Sequence, residues 1–169
     1  MGKKMRDLHK NFCVFTMSCV LLFSHRTRPA LQSESRSATE IHSLYLSARK
    51  VSAAVETGVT FGQYSQILTD ATAQLQVAQD SQPSDPKQQQ VLARYSVLLE
   101  KYQDALYVWN LAIQGGKGDE PKLIAIQTKF GIRPGRQGNL FEDIRNQLWQ
   151  QCASDVNEIL PLLRSAGVI

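Results

Sequence analysis

An all-α fold is what this chain predicts: an up-down antiparallel helical bundle of three long helices plus a C-terminal helix that packs back on them. Two observations carry the prediction. First, Phe61, Tyr64, Leu68, Ala71, Leu75 and Ala78 step by three and four without a slip, and so do Val91, Tyr95, Leu98, Tyr102, Ala105, Trp109 and Ala112. That spacing sets each group on one stripe of a helix, and such a stripe has to be buried against another helix. Second, compact turn signals cut the periodic stretches apart, and short links between helices force neighbours to run antiparallel.

The first helix is expected from Thr39 to Thr57, with Ile41, Leu44, Ala48, Val51 and Val55 on its stripe. Gly58 supplies the left-handed residue that ends helices. Thr60 and Gln63 fit a capping box, so the second helix begins at once and runs to about Gln79. Asp80 to Pro86 is a dense breaker cluster that also opens the third helix, with Asp85 as N-cap and Pro86 in the first turn. The third helix reaches about Gln114, where Gly115-Gly116-Lys117-Gly118 stops it. Asp119-Glu120-Pro121 then starts a short helix over about 121–129, with a strand as the alternative. Arg133 to Gly138 is a loop. Asn139 and Glu142 cap the last helix, whose stripe is Phe141, Ile144, Leu148, Cys152, Val156 and Ile159. Pro161 is expected to end or kink it near Leu160.

Three regions follow: a leader over 1–24, a polar Ser-rich linker over 25–38, and the bundle domain over 39–166. The leader has a basic stretch, Lys3 to Lys10, and then an apolar run from Phe12 to Phe23. That is the layout of a secretory signal. As a helix the run would be roughly 20 Å long, too short for a bilayer core of about 30 Å. Against export stand Arg26 and Arg28 just past the run, and the lack of a small-x-small cleavage site. Thr16-Met17-Ser18-Cys19 is a poor lipobox. The reading is an exported protein, periplasmic, envelope-bound or secreted. The alternative is a cytoplasmic protein that starts at Met5 or Met17.

The formal net charge of +4 belongs to the N-terminal segment, where Lys3, Lys4, Arg6, Lys10, Arg26 and Arg28 face only Asp7. The rest of the chain is close to neutral and has no helix-length basic face, so no nucleic-acid partner is expected. Membrane contact is expected only through the N-terminal apolar segment. Cys13 and Cys19 lie in that segment, and only Cys152 remains in the body. Its surroundings read as a helix face, and a small buried hydrophobe is the natural role.

No pattern of catalysis or cofactor binding stands out, and no catalytic, metal or cofactor-binding residue is assigned. His42 is the sole histidine of the body. The Glu-x-x-His pairs of di-iron bundles are missing. Glu100 and Asp104 are four apart on one face, and neighbouring Lys101 and the mixed charges around them suggest a solvated surface. Gly115 to Gly118 follows a helix and lacks the Gly-Lys-Ser/Thr ending of a phosphate loop. Lys129, Arg133 and Arg136 make a local basic loop that reads as a connector. The aromatic residues are the one candidate ligand pocket: Tyr95, Tyr102 and Trp109 recur every seven residues, and Tyr64, Tyr45 and Trp149 can join them from other helices. Aromatic stripes with polar handles line pockets or fill the wide part of a core.

Three stretches carry a resemblance: Ala54 to Tyr64 (AVETGVTFGQY), Tyr102 to Trp109 (YQDALYVW) and Gln147 to Ala153 (QLWQQCA). They resemble small helical bacterial proteins, often with export leaders and frequent in cyanobacteria, that are described only as uncharacterised. The resemblance spans most of residues 40–160. It implies a helical fold and an envelope setting, and it transfers no activity, cofactor or site residue. The expected function is therefore a non-enzymatic envelope or secreted helical protein that engages a protein partner through its helical surface. A small-ligand carrier with the aromatic pocket is the alternative.

Overall fold

Five helices follow one another in the computed structural model: α1 (Arg28–Thr57), α2 (Phe61–Asp80), α3 (Pro86–Ile113), α4 (Glu120–Phe130) and α5 (Leu140–Ser165). The structure describes residues 28–116, 120–133, 135 and 139–169, with backbone alone over 28–34. The leader expected over 1–24 lies outside the described residues.

Local chemistry sets most helix boundaries. At the start of α2 the Gln63 amide donates to Thr60 Oγ1 at 3.3 Å, and the Thr60 amide donates to Gln63 Oε1 at 3.2 Å. This reciprocal box satisfies two donors that the helix itself leaves open. Asp85 caps α3 by accepting from the Lys87 amide at 2.9 Å. Asn139 caps α5 by accepting from the Phe141 amide at 3.1 Å. Gly58 ends α1 and opens the link to α2 with φ of +90°, a conformation that costs a residue with a Cβ. Gly116, past the end of α3, has φ of +76°, and a Cβ there would sit 3.1 Å from the Phe141 ring.

Two boundaries differ from the sequence expectation. The segment read as a polar linker, 25–38, is helix from Arg28 onward, so α1 starts well before Thr39. Pro29 sits in the first turn, where its missing N–H costs nothing. Ala, Leu, Gln, Glu and Arg are good helix formers. Hydroxyls along this stretch bond back to the preceding turn, Thr39 to the Ser35 carbonyl at 2.9 Å and Ser43 to the Thr39 carbonyl at 3.1 Å. Ser37 is buried four residues before Ile41. It extends the core stripe with a polar residue, which a search for apolar periodicity passes over. At the other end, α5 continues through Pro161 to Ser165. Pro161 is exposed while Leu163 and Ala166 are buried, so packing of the final turn outweighs the lost hydrogen bond.

The four long helices form an up-down-up-down bundle. Lys87 Nζ donates to the Ser165 carbonyl at 3.1 Å and Lys101 pairs with Asp155 at 2.6 Å, so α5 runs antiparallel to α3. Gln103 donates to Thr72 at 3.2 Å across the antiparallel α2–α3 pair. The closest approaches are α3 with α5 and α1 with α2, whereas α1 and α5 approach each other little. One core cluster, including Ile41, Leu44, Tyr64, Leu68, Tyr95, Leu98, Cys152, Ile159 and Leu163, fills the space between the long helices. A second fills one end with Ala105, Val108 and Leu111 from α3, Ile144 and Leu148 from α5, and Leu123 and Ile126 from α4.

Helix α4 has 11 residues and stands further off than the long helices. A helix of that length is marginal by itself. Leu123 and Ile126 are its buried residues, each contributing about 1.5–3 kcal/mol. No described helix is long and apolar enough to cross a membrane.

Because α5 packs more closely on α3 than any other helix does, a chain ending at residue 138 is expected to lose monomeric behaviour and bind an apolar dye. Size-exclusion chromatography with dye fluorescence checks this. A monomeric, dye-negative truncation would show that α5 is not a core element.

Candidate functional site

The aromatic residues are gathered by helix register. Phe61 and Tyr64 lie on the first turn of α2, Tyr102 and Trp109 two turns apart on α3, and Trp149 in the middle of α5. Tyr64 is at the centre. Its ring centroid lies 6.4 Å from that of Tyr102, 5.9 Å from Trp109 and 5.6 Å from Trp149. Trp109 meets Phe61 edge-on at 5.6 Å and Trp149 edge-on at 5.6 Å. Edge-to-face packing of this kind adds about 0.5–1.5 kcal/mol per pair beyond area burial.

The polar handles of the cluster bond to one another. The Tyr64 hydroxyl donates to the Tyr102 carbonyl at 2.9 Å and accepts from Trp149 Nε1 at 3.1 Å. One buried oxygen thereby ties α2, α3 and α5 together. Burial pushes the Tyr64 phenol far above its ordinary range, although the Trp149 bond pulls it down. Burial also pushes Tyr102 up, with Cys152 adding to the rise and Ser52 opposing it. The Cys152 thiol is buried and held far above its usual range by burial, with Asp155 adding to the effect. It stays a thiol at neutral pH and is a poor nucleophile.

Of the three sequence candidates, Tyr95 and Tyr102 are buried and Trp109 is half-buried. Tyr102 and Trp109 join the cluster through Tyr64. Tyr95 stands apart, beside Tyr45 and Arg49 of α1, and burial raises its phenol as well. Tyr64 and Trp149, named as possible partners, are central. Arg145 was missed. Its guanidinium carbon lies 4.9 Å from the Trp109 ring centre and 4.6 Å from that of Trp149, so a cation covers the outer side of the cluster. Burial lowers the Arg145 pKa while Glu142 opposes the shift. The signal was present: Arg145 precedes Trp149 by four residues, and such pairs meet on a helix surface.

Two of the clefts open beside α5. One of roughly 320 Å³ lies between α1 and α5, with Tyr102, Trp149, Val55 and Ala153 as walls and Ser52, Glu56, Asn146 and Gln150 at its polar positions. The other, roughly 250 Å³, lies between α3 and α5 and includes Arg94, Lys101, Asp155 and Glu158. Among the described residues, no three His, Cys, Asp or Glu side chains converge as a metal site.

The basic loop residues are placed apart. Lys129 pairs with Glu100 of α3. The Arg133 backbone is held by Gln147, whose amide donates to the Arg133 carbonyl at 3.1 Å. Arg136 lies outside the described residues. No protein-family model, no curated protein and no solved structure matches this chain.

Two outcomes follow from these contacts. Tyr64→Phe removes the hydroxyl and strands the Trp149 N–H, so it is expected to destabilise by about 1–3 kcal/mol. Denaturant unfolding of Tyr64→Phe and Trp149→Phe, singly and together, checks it; additive effects would show that the bond contributes nothing. Burial also raises the Asp104 carboxyl above its usual range, with Lys129 opposing. A raised folded pKa gives stability that is present below the unfolded value, about 4, and lost as pH rises through the folded value. Asp104→Asn should therefore raise Tm at neutral pH, with the gain fading toward the unfolded carboxyl pKa. A lower Tm at neutral pH would mean that the attraction of Lys129 outweighs desolvation.

Proposed function

We propose that this chain is a non-enzymatic helical interaction or structural protein, exported to the envelope or secreted, that engages a protein partner through its helical surface. One observation carries the reading: the side chains richest in chemistry are used as ties between helices. Tyr64 joins Tyr102 and Trp149. Lys101 joins Asp155 across α3 and α5 at 2.6 Å. What faces outward includes large apolar residues, with Val97 48%, Ile113 60% and Ile124 54% exposed, while the basic charge of the chain is concentrated before residue 30. The leader-like N-terminus and the resemblance to small helical bacterial proteins with export leaders support the envelope setting. In this reading nucleic acid is not a partner, and membrane contact is confined to the N-terminal apolar segment.

A small-ligand carrier is the second reading. It is favoured by the cleft between α1 and α5, whose Tyr102 and Trp149 walls and polar positions suit a small amphipathic molecule. In this reading Tyr102 lines the cleft together with Trp149, while the rings of Trp109 and Trp149 pack against each other and against Arg145.

The test is cross-linking and intact mass spectrometry on protein from fractionated cells of the native host. The expected result is a chain shortened by roughly 2–3 kDa in the envelope or secreted fraction, cross-linked to a protein. A co-purifying small molecule that is lost in Trp149→Ala would favour the carrier. Full-length soluble cytoplasmic protein would overturn the envelope setting.

A further inference from the structure

Helices α1 and α5 approach each other little, and the seam between them holds the cleft of roughly 320 Å³. That is the small end of the range for ligand pockets, about 300–1,000 Å³. Three features of its walls bear on what it can hold. The first is aromatic. Trp149 of α5 forms one side, and the buried Tyr102 of α3 closes the inner side. The second is a single charge. Among the described residues of the lining, Glu56 alone is ionic. The ion pairs of the described residues join Lys101 to Asp155 and Lys129 to Glu100, which leaves Glu56 without a cation. The third is preparation of that charge. Ser52 is a buried polar residue of α1, and its hydroxyl donates to Glu56 Oε1 at 3.2 Å. The Tyr102 phenol feels both Ser52 and Glu56, so the three polar groups lie together. A buried hydroxyl has to use its donor, and here the donor sets the direction of the carboxylate.

Aromatic faces attract cations, and indole does so best. The chain itself shows this at Trp149, whose ring centre lies 4.6 Å from the Arg145 guanidinium carbon. Arg145 is not part of the cleft lining, and Glu142 acts on it with the opposite charge. The charge that faces the cleft is therefore negative.

We propose that this cleft binds a small organic monocation, with its ammonium group between Glu56 and the Trp149 and Tyr102 rings and its apolar body against Val55 and Ala153. The inference rests on the carrier reading above and supplies the class of ligand. One carboxylate matches one positive charge. An anion would be repelled by Glu56, and a neutral molecule would leave the carboxylate unpaired. The side-chain carbonyls of Asn146 and Gln150 offer further acceptors to the N–H groups of a primary ammonium. Glu56 is exposed, so water competes with its ion pair. Contact with the rings and burial of the apolar body supply the rest of the attraction.

The experiment titrates the full chain with three probes of similar shape: 2-phenylethylammonium, the neutral 2-phenylethanol and the anionic 3-phenylpropionate. Binding is followed by NMR, with the Trp149 indole N–H as reporter. The ammonium probe should bind at least about tenfold more tightly than either counterpart. Glu56→Gln keeps the shape of the side chain and should erase that preference. Ala153→Phe fills the cleft, keeps Glu56 and should abolish binding. A preference that survives Glu56→Gln, or binding untouched by Ala153→Phe, would overturn the proposal. If Ala153→Phe fails to fold by circular dichroism, Glu56→Gln decides alone, since it changes an exposed position. Equal binding of the ammonium and neutral probes would overturn the proposal and leave the carrier reading standing. No binding of any probe at about 10 mM would remove both.

Discussion

The Tyr64 hydroxyl is the contact on which the arrangement of the long helices depends. It is buried, it donates to the backbone of α3, and it accepts from the indole of α5. A buried hydroxyl without partners costs more than a bond to it gains, so the three groups constrain one another. Rotating α2 or α5 about its axis away from Tyr64 would break one or both of these bonds. The surrounding rings, Phe61, Tyr102, Trp109 and Trp149, then pack edge-on around the same point. Apolar contacts are non-directional and fix helix rotation less sharply than a hydrogen bond does.

Helix α3 is the axis of the fold. It meets α5 closely, α2 through the aromatic cluster, and α1 near Tyr95. Its far end, from Ala105 onward, changes partner: the core there is shared with α4 and α5 instead of α1 and α2. The bundle therefore has two parts of different character. The body is closed by four long helices. The end is closed by an 11-residue helix whose buried contribution is two side chains.

The chemistry of the chain is spent on cohesion. Phenols, indole, thiol and the Lys101–Asp155 pair all face neighbouring helices. Burial holds Tyr64, Tyr102 and Cys152 in their neutral forms, where they act as hydrogen-bonding or apolar groups. Arg145 covers the Trp109 and Trp149 rings of the cluster with its guanidinium.

Helix periodicity and capping depend on residues close in sequence, so they were legible in the chain alone. The stripes on α2 and α3, the Thr60–Gln63 box, the Asp85 and Asn139 caps and the stop at Gly58 are all local. The starts of α2, α3 and α5 follow from them. The two boundaries that differ each turned on contacts distant in sequence: Ser37 is held in the core as an extension of the Ile41 stripe, and Leu163 and Ala166 carry α5 past Pro161. The same distinction holds for the candidate site. The seven-residue recurrence of Tyr95, Tyr102 and Trp109 is local, and it placed them on one helix. Which of them share a cluster was decided by the register of α2 and α5 against α3. That register brings Tyr64 and Trp149 to Tyr102 and Trp109 and leaves Tyr95 facing α1. Sequence spacing specifies the face of a helix, but the rotation and offset between helices come only from packing and the polar ties that pin it.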